Sequence, residues 1–104
     1  MQHSLWGRLW LSSQKREAQN EIEKGNRSFA HGDYEAAIAA FSLGIRVDPS
    51  NAESYLCRAL AREKKGHWGG ALADFREALR LNPGMSECIG RIAALERKLR
   101  PLRT

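Results

Sequence analysis

The sequence predicts an all-α protein: two antiparallel helix–turn–helix repeats stacked side by side and closed by a C-terminal capping helix. Three observations carry this. First, the stretch 32–49, GDYEAAIAAFSLGIRVDP, returns 34 residues later at 66–83 as GHWGGALADFREALRLNP. Second, the matches keep helical spacing. Ala37 and Ala71 precede Phe41 and Phe75 by four residues, and Ile38/Leu72 with Ile45/Leu79 add a second apolar row. Third, each copy is bracketed by a helix stop, Gly32 or Gly66 before it and Pro49 or Pro83 at its end. A period in this range marks a helical solenoid, in which each unit buries its apolar face only against its neighbours.

Length and composition narrow the class. At 104 residues there is room for one domain. No apolar run approaches the ~20 residues needed to span a bilayer, so stable membrane insertion is not expected. The net charge is +5, with 12 acidic residues interleaved among 17 basic ones. Interleaving of this kind reads as solvated helix faces rather than a nucleic-acid surface. Cys57 and Cys88 form neither a CxxC motif nor a metal pair, and their separation points to reduced thiols and a cytoplasmic protein.

Residues 1–17 belong to no repeat. They hold no acidic residue before Glu17, while Arg8, Lys15 and Arg16 are basic. Leu5/Leu9 and Trp6/Trp10 are spaced i,i+4, so a helix here carries a bulky apolar face, weakened by Gly7. Three readings stay open: an arm or extra turn covering the open end of the stack, an organelle-targeting or interfacial anchor, or a disordered lead-in. The first repeat spans 18–51. Its first helix, over about 18–31, is organised by Ile22, Gly25, Asn26 and Phe29. Gly25 in mid-helix costs ~1 kcal/mol relative to Ala, which is tolerable if another helix passes too close for a side chain. Gly32 suits the left-handed stop, Asp33 can cap the next helix, and that helix runs 34–47.

Asp48-Pro49-Ser50-Asn51 is a break, since Pro49 has no N–H and steers Asp48 out of helical geometry. Ser50 with Glu53 has the form of a capping box for the next helix, 52–65. That helix opens the second repeat, 52–85. It is apolar on several sides through Tyr55, Leu56, Cys57, Ala59, Leu60 and Ala61, as the middle of a stack requires. The fourth helix is 68–81, with Trp68 in the place of Tyr34, and Asn82-Pro83-Gly84 ends it. The capping helix, 86–100, keeps the repeat register (Gly25, Ala59 and Ala93) and turns basic after Leu95. One wet face is what a terminal helix needs. A tail, 101–104, follows. Two repeats and a cap make a small core, so marginal stability relieved by self-association or a partner is expected.

These residues resemble the tetratricopeptide repeat over about 18–99. The resemblance rests on Gly25/Ala59, Ala37/Ala71, Phe41/Phe75, Gly44/Ala78 and Pro49/Pro83, with Gly32-Asp33-Tyr34 at the first turn. Ser28 and Arg62 depart from it where a large aromatic is usual, and Glu21 stands for a bulky apolar residue; these should weaken packing. The resemblance implies a superhelix of antiparallel helix pairs whose first helices form a concave face for an extended peptide or a partner helix, with no catalysis and no cofactor. By that geometry the groove residues are Ile22, Asn26, Phe29, Leu56, Cys57, Leu60, Lys64, Arg91 and Arg97. Read as residues alone, Leu56 and Leu60 fit core packing better than ligand contact. Lys64, Arg91 and Arg97 lie toward one end, which favours an acidic or C-terminal-carboxylate ligand.

The run Glu23-Lys24-Gly25-Asn26 resembles the co-chaperone type of repeat, which grips acidic chaperone tails with a carboxylate clamp of two Lys, two Asn and one Arg. Asn26 and Arg91 match that clamp. Ile22 and Glu87 stand where Lys is expected and Cys57 where Asn is, so the clamp is broken. No Ser/His/Asp or Cys/His arrangement and no phosphate-binding Gly loop is present, and His3, His31 and His67 are scattered. The reading is therefore a non-enzymatic protein–protein adaptor, without metal or cofactor. The alternatives are a co-chaperone with a degenerate clamp, or a membrane- or organelle-associated structural protein anchored by its N-terminal arm.

Overall fold

Five helices, and among the described residues no strand, make up the computed structural model, which describes residues 5–101: α1 (Leu5–Ala30), α2 (Tyr34–Val47), α3 (Ala52–Lys64), α4 (Trp68–Leu81) and α5 (Glu87–Leu99). The three-residue turns at 31–33 and 65–67 fold α1 onto α2 and α3 onto α4 as antiparallel hairpins. In addition α2 packs on α3, α4 on α5, and α1 touches α3. The middle helix α3 is thus enclosed by α1, α2 and α4, as its apolar circumference requires.

The turns repeat one hydrogen-bond pattern. Gly32, at φ 78°, donates its N–H to Phe29 O at 2.9 Å, while Asp33 N–H reaches back to Ser28 O at 2.9 Å. Gly66, at φ 77°, and His67 make the same pair of bonds to Glu63 O and Arg62 O at 3.0 and 2.9 Å. This is the Schellman closure, and a positive φ is open to glycine without steric penalty. Asp33 Oδ1 then caps α2 by accepting from Ala36 N–H at 3.2 Å. The capping box expected at Ser50 does not form. Asn51 is the cap of α3, accepting from Ser54 N–H at 3.3 Å, and Ser50 Oγ donates instead to Asp48 Oδ1 at 2.7 Å. Because the helix starts one residue later, Glu53 falls on its second position, one short of where a capping box reaches back.

The first helix also departs from expectation. It does not begin at residue 18 but runs unbroken from Leu5, since no proline interrupts it and most residues of the segment are good helix formers. Burial begins only at Ala18, so the segment before it extends past α2 rather than covering the open end of the stack. The expectations placed on residues 1–4 and 102–104 lie outside the described residues.

Two cores lie along the stack. One gathers Ile22, Ala37, Phe41 and Ala61, the other Leu56, Ala59, Ala71, Leu72, Phe75, Ala78, Cys88 and Leu95. Phe41 and Phe75 are fully buried. At Gly25 an added Cβ would fall 2.7 Å from Phe41 Cδ1 and 2.9 Å from Cζ, so the glycine admits the ring. Arg62 does not simply lose packing where an aromatic is usual. It donates to the buried Asp74, Nη1 to Oδ2 at 2.9 Å, and an added Cβ at Gly70 would lie 3.2 Å from its Cδ.

Candidate functional site

The turns and hairpins make α1, α3 and α5 run parallel, and their shared face is concave. A cavity of about 530 Å³ lies there, lined by Phe29 of α1, Leu60, Glu63 and Lys64 of α3, and Arg91 and Lys98 of α5. It adjoins a smaller recess of about 150 Å³ lined by Asn26, Phe29, Phe41, Cys57 and Leu60. Phe29 and Leu60 belong to both, so the two form one groove with an apolar floor.

Six of the nine residues expected in the groove therefore meet: Asn26, Phe29, Cys57, Leu60, Lys64 and Arg91. Three do not. Ile22 is fully buried in the first core, and Leu56 is buried in the second. Their side chains fill the seams between neighbouring helices and cannot meet a ligand. Arg97 is exposed but lines neither recess; Lys98 does. One residue turns a side chain by about 100° around a helix, enough to exchange groove for solvent. The repeat period itself pointed to Lys98, which lies 34 residues after Lys64. Glu63 was also missed, although the same period pointed to it, 34 residues after Phe29.

Neighbouring side chains orient the lining. Phe29 stacks edge-on against Tyr34 at 5.2 Å between ring centroids. Lys98 Nζ lies 4.6 Å from the centroid of the Trp68 ring, a cation–π contact that places the ammonium at the groove end. Arg91 Nη1 donates to Glu63 Oε1 at 2.7 Å, so part of its charge is already satisfied.

The groove carries opposite charge at its two ends. Glu53 and Glu87 stand in the first turns of α3 and α5, and Lys64 and Lys98 in their last turns. Each sign complements the helix dipole at its position. Cys57 registers the acidic end: burial, followed by the Glu53 and Glu87 carboxylates, pushes its thiol up to about 12. Both cysteines are free. Of the clamp positions, Asn26 and Arg91 are in the groove, Ile22 is core, and Cys57 sits between carboxylates. Among the described residues no group of three or more His, Cys, Asp or Glu is placed to hold a metal ion.

Known proteins match this fold. A family model described as TPR repeat matches residues 25–66, and one described as tetratricopeptide repeat matches 52–85. The chain is similar to the tetratricopeptide repeat and J domain-containing co-chaperone DNJ1 of Cryptococcus neoformans, 40% identical over 63 residues, covering 61% of this chain and 12% of that protein. It is 35% identical over 86 residues to sperm-associated antigen 1 of Homo sapiens, covering 83% of this chain and 9% of that one. It thus spans a small part of these relatives' length. Among solved structures, the second TPR of Spaghetti (RPAP3) bound to the HSP90 peptide SRMEEVD superposes with a TM-score of 0.79 at 31% identity, covering 85% of this chain and 83% of the other. The second TPR domain of human RPAP3 in complex with the HSP70 peptide SGPTIEEVD gives 0.79 at 30% identity, covering 83% and 72%.

Proposed function

Because the chain belongs to the tetratricopeptide repeat family, we propose that it is a non-enzymatic adaptor which holds an extended acidic peptide, or the acidic end of a partner helix, in the groove between α1, α3 and α5. One observation carries the reading. Lys64 and Lys98 line a cavity together with the apolar pair Phe29 and Leu60 and the ion-paired Arg91 and Glu63. Apolar surface supplies affinity for an anchoring side chain, and the cations select carboxylates at the same end. Fluorescence anisotropy with acidic peptides bearing free C-termini tests it. Lys64→Ser with Lys98→Ser should weaken binding by about tenfold or more, given ~1.5 kcal/mol or more per charge-assisted hydrogen bond. Affinity indifferent to both changes would overturn the assignment.

A second reading, a co-chaperone-like receptor for chaperone tails, is favoured by the two structural neighbours solved with HSP90 and HSP70 peptides. Against it stand the three clamp positions Ile22, Cys57 and Glu87, which offer no cation or amide to a tail carboxylate. The same titration with a peptide ending in Glu-Glu-Val-Asp separates the readings.

A further inference from the structure

We propose that the amino-terminal half of α1 is an arm that lies on an anionic lipid surface, independently of the groove. Before Ala18 no residue of α1 is buried, and the described apolar side chains there are exposed: Trp6 is 79% and Trp10 61% accessible, with Leu5 and Leu9 beside them and Leu11 nearby. At 100° per residue, Leu5, Leu9, Trp6 and Trp10 share one side of the helix; Arg8 and Lys15 lie on another, together with Leu11, and Arg16 projects between the angles of Leu5 and Leu9 about two turns further along. Two tryptophans and two leucines on one side, with Arg8 and Lys15 on another, suit an interfacial helix, because the indoles sit at headgroup level while the cations, Arg16 included, reach lipid phosphates. No helix among the described residues is long and apolar enough to cross a membrane, so the arm lies on the surface rather than spanning it.

Charge selects this occupant over a second copy. Arm-on-arm pairing would set Arg8, Lys15 and Arg16 against their own copies, and positions 5–16 contain no carboxylate to neutralise them. The larger cavity of another copy is net positive, with Lys64 and Lys98 beside an Arg91–Glu63 pair, and repels a basic arm there; the groove's acidic end is the one near Glu53 and Glu87. An anionic leaflet supplies what both lack, at roughly a fivefold gain in affinity per cation.

The test uses the full chain carrying Trp68→Phe, which leaves Trp6 and Trp10 as its tryptophans. Mixed with vesicles of phosphatidylcholine containing about one-third phosphatidylserine, it should co-sediment and shift its emission to the blue; pure phosphatidylcholine should give little of either. Trp6→Ser with Trp10→Ser should abolish binding. Arg8→Ser, Lys15→Ser and Arg16→Ser together should weaken it by roughly a hundredfold. Lys64→Ser with Lys98→Ser should leave it unchanged, which also separates this surface from the groove. All these positions lie outside the core, so the variants should fold, as circular dichroism would verify. The proposal is overturned by absence of binding to the anionic vesicles, or by binding that survives loss of both tryptophans. It is likewise overturned by binding that depends on Lys64 and Lys98, or by a solution dimer that the tryptophan changes dissolve while vesicles are ignored.

Discussion

Arg58 on α3 and Asp74 on α4 form a bidentate ion pair, with Nε and Nη2 each 2.8 Å from a different carboxylate oxygen. Arg62 adds a third bond to the same carboxylate at 2.9 Å, and Arg58 Nη1 reaches Ser42 Oγ of α2 at 3.2 Å. One buried aspartate thereby ties three helices together. The pairing holds the Arg58 guanidinium charged more firmly than usual, chiefly through its hydrogen bonds to Asp74. Asp74→Ala leaves two guanidinium groups facing each other without their anion. It should cost about 3 kcal/mol or more, the penalty typical of breaking a buried pair from one side. Urea melts measure it, and a loss below 1 kcal/mol would mean the arginines escape to solvent.

Gly25→Ala offers a test of sign. Helix propensity alone favours alanine by about 1 kcal/mol. The new methyl would instead collide with the Phe41 ring, and overpacking of this kind costs about 1–3 kcal/mol. A lowered melting midpoint is therefore expected. Phe41→Ala and Phe75→Ala should each cost about 3–5 kcal/mol, as deletions of fully buried rings.

Glu21 stands where a bulky apolar residue is usual, and its Oε2 is buried without a hydrogen-bond partner among the described residues. Leaving such an atom unpaired costs about 1–3 kcal/mol. Glu21→Leu should consequently stabilise the domain by about 1 kcal/mol, read as a higher urea midpoint at unchanged slope.

For Cys57 the sign follows from its raised pKa. The unfolded thiol ionises near pH ~8.5 and the folded one near 12, so the fold favours the neutral form. That contribution is full below about pH 8.5 and is lost as pH rises toward 12. At about pH 9, iodoacetamide should alkylate Cys57 roughly several hundredfold more slowly in the native chain than in urea, because the thiolate is the nucleophile. Peptide mass spectrometry locates the adduct. Equal rates would show that the carboxylates and burial do not suppress the thiolate.

The unmodified chain should show no measurable affinity for a Glu-Glu-Val-Asp tail at micromolar peptide. Each missing charged contact costs about 1.5–3 kcal/mol, enough in combination for a loss of a thousandfold or more. Repair is confined to the groove. Ile22→Lys would bury an ammonium in the first core and unfold it, whereas Cys57→Asn with Glu87→Lys places an amide in the recess, where Cys57 only borders that core, and a cation at the start of α5. Anisotropy should detect binding in that double variant and none in the parent.

Most of the fold was legible because its causes are local. A glycine at positive φ, a proline without an N–H and apolar residues four apart act within one or two turns, so the 34-residue echo between 32–49 and 66–83 was enough to set the helix pairs. The concave face, with Asn26, Phe29, Cys57, Leu60, Lys64 and Arg91 on it, was implied by the resemblance to the tetratricopeptide repeat. Only the tertiary structure decided the rest. A helix's rotation about its own axis is set by the neighbours it packs against, and this buries Ile22 and turns Lys98 rather than Arg97 into the groove. Arg62 could not be read as the partner of Asp74, because the two meet only when α3 and α4 close against each other and Gly70 leaves room. The bare half of α1 is exposed for the same kind of reason. Its helix forms from local propensity, but among the described residues no second element lies alongside it to cover Trp6 and Trp10.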